Sequence, residues 1–197
     1  MALILLCMTL LLVVMLVFLW AICAADGAAE DREGGFIFTE PAETSPPATP
    51  PVHVIYPGIP LEDGFQAYIA NLCREKEVPV PLVLAVIAKE SDFDAKLVAD
   101  GGQSFGLMQI QPQWHRERMR DLGVTDLLDP AQNVRVGIDY LSELLSLGKG
   151  EEYAVMFYNG GEIHANYYAK RGEMSAYCTE VMRMRDCIGE AAIAVNG

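Results

Sequence analysis

VPLVLAVIAKESDFDAKLVADGGQSFGLMQ, residues Val80–Gln109, sets an apolar run, an abrupt carboxylate and a glycine-rich loop in immediate succession. Pro81 can open a helix, because proline is tolerated in the first turn, where its missing N–H has no partner to lose. Leu82 to Ala88 are apolar at every position, so a helix over 81–90 has no polar face and belongs inside the protein. The run stops on Glu90-Ser91, a loop with glycines follows over Asp100–Phe105, and Gly106-Leu107-Met108-Gln109-Ile110 begins a second apolar segment. A carboxylate is a poor stabiliser at the C-terminal end of a buried helix. The dipole there is negative and the surroundings are dry, and both push a carboxyl pKa upward. A general acid working near neutral pH needs that shift. A solvated helix end is the plain alternative for Glu90 taken alone.

The neighbouring segments are helical. Glu62 to Glu77 places Phe65, Tyr68, Ile69 and Leu72 at three- and four-residue spacing. Pro112 can start a short polar helix with Trp114 and the charged run His115–Asp121, stopping near Gly123. Asp129-Pro130 opens another, with Val134, Ile138, Leu141, Leu144 and Leu145 on one stripe and Gly148 as its stop. Glu151–Tyr158 ends at Asn159-Gly160-Gly161, and segments near 162–171 and 175–188 complete the set. Strand alternation is absent, although 97–106 is compatible with a small hairpin. The expected class is mainly α, as one globular helical domain.

The rest of the chain differs in kind. Residues 1–25 carry no charged side chain, and an apolar run of this length can cross a bilayer, which needs about 20 residues. The flank after it is acidic, which suits the non-cytoplasmic side. An uncleaved membrane anchor is preferred over a cleaved signal, since no basic stretch precedes the run. Residues 26–53 are acidic and Pro-rich, a linker expected to be extended. Residues 54–190 are the right size for one domain. Of the formal net charge of −13, Asp26, Glu30, Asp31, Glu33, Glu40 and Glu43 against Arg32 place five excess negatives in the linker, leaving the domain acidic too. That argues against nucleic acid as a partner. Cys73, Cys178 and Cys187 match no zinc spacing, and a Cys178–Cys187 or Cys73-to-C-terminal disulfide is compatible with an extracellular setting. His53, His115 and His164 are scattered and read as surface residues. No metal or cofactor is called for.

Three motifs in order, Glu90-Ser91, Gly106-Leu107-Met108-Gln109-Ile110 and Ala154-x-x-x-Tyr158-Asn159-x-Gly161, resemble those of the lytic transglycosylases. These are soluble-lytic-transglycosylase-type enzymes of the α+β, goose-lysozyme-like superfamily. The resemblance covers roughly residues 65–182 and extends to Asp129-Pro130, Asn133, Gly137 and Tyr140-Leu141. It implies a substrate cleft and cleavage of the β-1,4 bond between N-acetylmuramic acid and N-acetylglucosamine in peptidoglycan glycan strands, with a 1,6-anhydro product. By motif, Glu90 is the lone acid/base. The resemblance places Ser91, Gly106, Met108, Gln109, Tyr158 and Asn159 at the substrate: Met108 on the cleft wall, Gln109 toward acetamido groups, Tyr158 toward the acid and Asn159 toward the sugar. Gly106 fits where backbone approaches the sugar or the acid closely. Ser91 can also hold the loop.

Two other readings use the same residues. Goose-type lysozymes use water, and Asp100 stands where they carry a loop aspartate, six residues before Gly106, whereas Gln111 stands where they tend to place another. Asp100 is therefore a candidate second carboxylate for a hydrolytic muramidase. A non-catalytic peptidoglycan-binding module would not need the acid at all. An anchored, tethered, extracytoplasmic enzyme has limited reach and suits local wall opening, as a cell-wall-spanning apparatus requires.

Overall fold

The computed structural model describes residues 53–195. The order is β1 (His53–Ile55), α1 (Asp63–Lys76), α2 (Val80–Ser91), β2 (Val98–Ala99), β3 (Ser104–Phe105), α3 (Pro112–Asp121), α4 (Pro130–Ser146), α5 (Glu151–Ala169), α6 (Ala176–Glu190) and β4 (Ile193–Val195). The class is mainly helical. β2 and β3 form the small hairpin, while β1 and β4 pair antiparallel with Val54 opposite Ala194. That terminal pairing was not expected from the sequence. Three-residue strands show no alternation, and their pairing joins the two ends of the domain. The described part thus takes in His53 and runs past 190, to Val195. The apolar segment 1–25 and the linker lie outside the described residues apart from His53. Among the described residues no helix is long and apolar enough to cross a membrane.

α2 is the centre. Leu82 to Ile87 are all fully buried, and the helix packs chiefly against α6 and also on α1. Burying side chains of this size contributes about 1.5–3 kcal/mol each. A helix apolar on all sides is therefore stable only where neighbours cover it completely. α4 packs on α1 and α5, and α3 lies against α4. A charge cluster fastens that last contact: Asp139 on α4 accepts from Arg118 of α3 and Lys76 of α1, and Arg118 also reaches Glu143. α5 is one element where the sequence indicated two, but its backbone leaves helical geometry at Gly161 (φ 74°, ψ −179°), so the expected break is present as a kink.

The segment from Asp92 to Gln111 folds back over the C-terminal end of α2 and is held mainly by one side chain. Asn133, fully buried on α4, accepts from the Met108 N–H (2.8 Å) and donates to the carbonyls of Phe105 (2.7 Å) and Leu127 (2.9 Å). Ser91 Oγ adds a bond to the Leu107 carbonyl at 2.8 Å. Gly106 is required by this arrangement. Its φ is +69°, and a Cβ would stand 2.5 Å from the Leu127 carbonyl and 2.6 Å from Asn133 Nδ2. The expected reason, approach to a sugar, is replaced by approach to the asparagine beneath it. Met108 drops into a notch at Gly137, where any Cβ would lie 2.2 Å from its sulfur.

Among the described residues, Cys73, Cys178 and Cys187 are free thiols. Cys178 and Cys187 lie nine residues apart on α6, about 13 Å at the helical rise, beyond disulfide reach. Burial pushes the Cys73 thiol up to about 12 and Cys178 up to about 11, so both are inert side chains of the interior.

Replacing Asn133 by Ala leaves the Met108 N–H and the Leu127 carbonyl without partners, each costing about 1–3 kcal/mol, while the Phe105 carbonyl keeps its bond from the Ile110 N–H. Asn133→Ala is expected to lower the unfolding free energy by several kcal/mol, while Gln132→Ala, whose half-buried side chain accepts from the exposed Thr125 and Asp126 N–H groups, costs under half of that. Urea unfolding followed by circular dichroism measures both.

Candidate active site

Glu90 occupies the last turn of α2, followed by Asp92 in the left-handed conformation that ends the helix (φ 48°). Its carboxyl opens into a cleft of about 550 Å³ bounded by the folded-back loop, the start of α3, Tyr140 of α4 and the Phe157–Gly161 segment of α5. The phenol of Tyr177, near the start of α6, donates to Glu90 Oε1 at 2.5 Å. Burial raises the Glu90 pKa above the ordinary carboxyl range; the Tyr177 bond and Lys89 oppose the shift, and the negative charge of Asp100 adds to it. Burial wins. Lys89 is engaged with Glu180, so its charge is directed to α6. Tyr177 itself stays protonated, because burial and the adjacent Glu90 charge raise its pKa. It is a permanent donor to the acid.

The loop presents a polar edge. Asp100 (φ 52°) is exposed on the cleft, and its carboxylate accepts from Ser104 Oγ at 2.5 Å and from Gln111 at 3.4 Å. Gln111 also donates to Ser104 (2.9 Å) and accepts, through Oε1, from Gln113 (2.9 Å) and the Trp114 indole (3.2 Å). Gln109, again at positive φ, donates to the carbonyls of Gly106 (2.9 Å) and Leu97 (3.2 Å). Its amide N–H bonds are thus spent inside the loop, leaving its oxygen for a ligand.

An aromatic file lines the other part of the cleft. His115 meets Tyr140 edge-on at 4.6 Å between ring centres, and Tyr140 lies 5.4 Å from Tyr158. Burial, with Arg118 nearby, pushes the His115 pKa down to about 4, so the imidazole is neutral at physiological pH. His115 is therefore a cleft residue and not the surface residue its scattered position implied. His164 is likewise drawn in, with its Nε2 buried and without a partner among the described residues.

The structure gathers Glu90, Asp100, Gln109, Tyr158 and Asn159 on one cleft. Ser91 and Met108 are buried beside it and differ from the expectation of substrate contact. Ser91 braces the loop, and Met108 fills the Gly137 notch while only its carbonyl faces Tyr158, which donates to it at 2.7 Å. Tyr158 therefore does not bond the acid. That position belongs to Tyr177, which sequence reasoning missed, because a tyrosine 87 residues from Glu90 reaches it only through the packing of α6 along α2. Trp114 and His115 were also missed as cleft residues, whereas Gln111, singled out where a muramidase tends to carry an aspartate, does line the cleft. The one signal for Trp114 and His115 was their place just after the GLMQI stretch.

These features define a helical protein whose cleft holds a half-buried acid bonded by a tyrosine. The family model described as Transglycosylase SLT domain matches residues 67–177, a span that includes Glu90 and ends on Tyr177, and the chain belongs to that family. A transglycosylase of Enterobacteria phage PRD1 is 35% identical over 89 residues, which are 45% of this chain and 32% of the relative. Among solved structures, an inactive mutant of the lytic transglycosylase Slt from Pseudomonas aeruginosa is 23% identical with a TM-score of 0.49, covering 62% of this chain and 22% of that one. The 70-kDa soluble lytic transglycosylase from Escherichia coli is 22% identical with a TM-score of 0.48, covering 63% and 22%. The chain thus spans about a third of the curated relative's length and less than a quarter of either solved chain.

Two substitutions move the acid in opposite directions. Tyr177→Phe removes the bond that favours the carboxylate, so the Glu90 pKa is expected to rise further. Asp100→Asn removes a like charge, so it is expected to fall. Carboxyl-carbon NMR titration of Glu90 reads both shifts, and Asp94→Asn serves as a control.

Proposed function

We propose that this chain cleaves the β-1,4 bond between N-acetylmuramic acid and N-acetylglucosamine in peptidoglycan as a lytic transglycosylase. The observation that carries the reading is Glu90, a carboxyl whose pKa burial raises, at the open face of a cleft and bonded by Tyr177. The Glu90 proton passes to the glycosidic oxygen as the bond from muramic C1 breaks, the bonding electrons leaving with that oxygen. The Glu90 carboxylate then takes the proton of the muramic 6-hydroxyl as O6 bonds to C1. The acid is regenerated and no water is consumed. Family membership supports this chemistry, as does the absence of Lys and Arg among the described residues that line the cleft, which suits a largely uncharged glycan better than a phosphate.

The uncharged residues 1–25 and the Pro-rich segment after them support an enzyme anchored in the cell membrane and acting outside it, with a reach set by the linker and a role in local wall opening, such as passage of a wall-spanning apparatus.

Digestion of purified peptidoglycan with product mass spectrometry tests the reaction. Muropeptides lighter by one water than reducing-end products are expected from the wild type and none from Glu90→Gln. Reducing ends would instead assign a muramidase with Asp100 beside the water, and wall binding without products a binding module. Activity is expected to fall as pH rises through the raised Glu90 pKa, because the first step needs its proton.

Stability carries the same signature. The fold binds the Glu90 proton more tightly than the unfolded chain does, so its stabilisation is complete below the ordinary carboxyl range and is lost as pH rises through the folded value. Glu90→Gln is therefore expected to melt above the wild type at pH 7.5, with the gap closing at pH 4. Scanning calorimetry at the two pH values reads it.

A further inference from the structure

Trp114 is the large apolar side chain on the cleft that burial does not explain. It is 78% exposed, on the first turn of α3, and lines the same cleft as Glu90. An indole left in water loses the favourable transfer that burying so large a ring would bring. Its orientation is nevertheless constrained. Nε1–H donates to Gln111 Oε1 at 3.2 Å, and Gln111 is itself held by Ser104 and Asp100. On the next residue the backbone of α3 departs from helical geometry (His115 φ −121°, ψ 19°), and the His115 ring is pinned against Tyr140. The polar edge of the indole is thus tied to the protein, while its faces remain uncovered.

We propose that Trp114 is a stacking platform for a pyranose ring of the glycan strand, oriented by the Gln111 amide and forming a sugar subsite beside Glu90. A pyranose presents C–H groups on one face and hydroxyl or acetamido groups around its edge. An aromatic ring with its donor already satisfied matches the face, and the edge meets Gln103, Gln113 and Asp100, whose side chains stand around the same loop. Among the described residues the cleft lining has no Lys or Arg to select an acidic ligand, which favours an N-acetylhexosamine over a phosphate or an acidic peptide. This subsite rests on the transglycosylase reading for its substrate, but not for its geometry.

The full chain contains two tryptophans, so Trp20→Phe leaves Trp114 as the sole indole, and Glu90→Gln prevents turnover. Titrating that double variant with chitohexaose is expected to give a saturable change in tryptophan emission, and adding Gln111→Ala is expected to weaken it severalfold. In the active chain, Trp114→Ala is expected to raise KM for glycan strands about tenfold with kcat changed less than twofold, and Trp114→Phe to recover most of the loss. Thermal melts keep a folding defect separate; an exposed ring should leave Tm unchanged. An unchanged emission, or a Trp114→Ala KM equal to wild type, overturns the platform. So does an emission change driven by free stem peptide or by phospholipid vesicles while chitohexaose gives none. An emission change with chitohexaose from a chain that never cleaves peptidoglycan upholds the platform and rejects the reaction. Cleavage without any emission change does the reverse.

Discussion

The amide of Asn133 carries an unusual share of the structure. One side chain on α4 holds Met108, Phe105 and Leu127 by backbone groups far apart in sequence, and thereby lays the loop after α2 across the end of that helix. The loop needs holding. Asp92, Phe93, Asp100 and Gln109 all have positive φ, a conformation that costs a non-glycine residue about 1–3 kcal/mol. A fully buried amide with three good partners can offset such strain, because breaking any of its bonds would strand a polar group away from water. Gly106 and Gly137 follow from the same contact: the first lets the loop reach Asn133, and the second makes room for Met108 beneath it.

Glu90 inherits its chemistry from that closure. The loop and α6 together remove the carboxyl from water, which favours its neutral form, while Tyr177 supplies one donor that favours the ionised form. The proposed reaction, in which the acid gives a proton and then takes one back, needs both influences. Burial alone would hold the proton too firmly, and several donors would release it too early. One tyrosine bond on a buried carboxyl is an intermediate setting. Tyr158, which belongs to the family motif, works one step away by fixing the Met108 carbonyl and the aromatic file through Tyr140.

The cleft is asymmetric in its polarity. The loop side offers Gln109 and the hydrogen-bonded edge of Asp100, Ser104 and Gln111, and the α4–α5 side offers Tyr140, Phe157 and Tyr158. His115 closes the file as a neutral imidazole because burial and Arg118 both disfavour its charge. Arg118 in turn is committed to Asp139 and Glu143. The positive charge of Arg118 is thus neutralised behind the cleft wall.

The sequence by itself determined the helices, because each carries a local signal that needs no partner: Pro112 and Pro130 at helix starts, Asp129 as a cap, the stripe of α4, and the uninterrupted apolar run of α2. It also singled out Glu90, since an ionisable group at the end of a buried helix is a local contradiction. Local signals could not show which groups would converge on that carboxyl. Tyr177 is one of eight tyrosines and differs from the rest only by where α6 packs, and Trp114 and His115 read as parts of a polar helix until α3 is set against the cleft. The β1–β4 pairing likewise joins segments about 140 residues apart that have no pattern of their own. Periodicity and capping are encoded within a few residues, whereas a side chain's burial, its partner and its pKa are properties of the surface that arrives from elsewhere in the chain. Tertiary packing alone decided those.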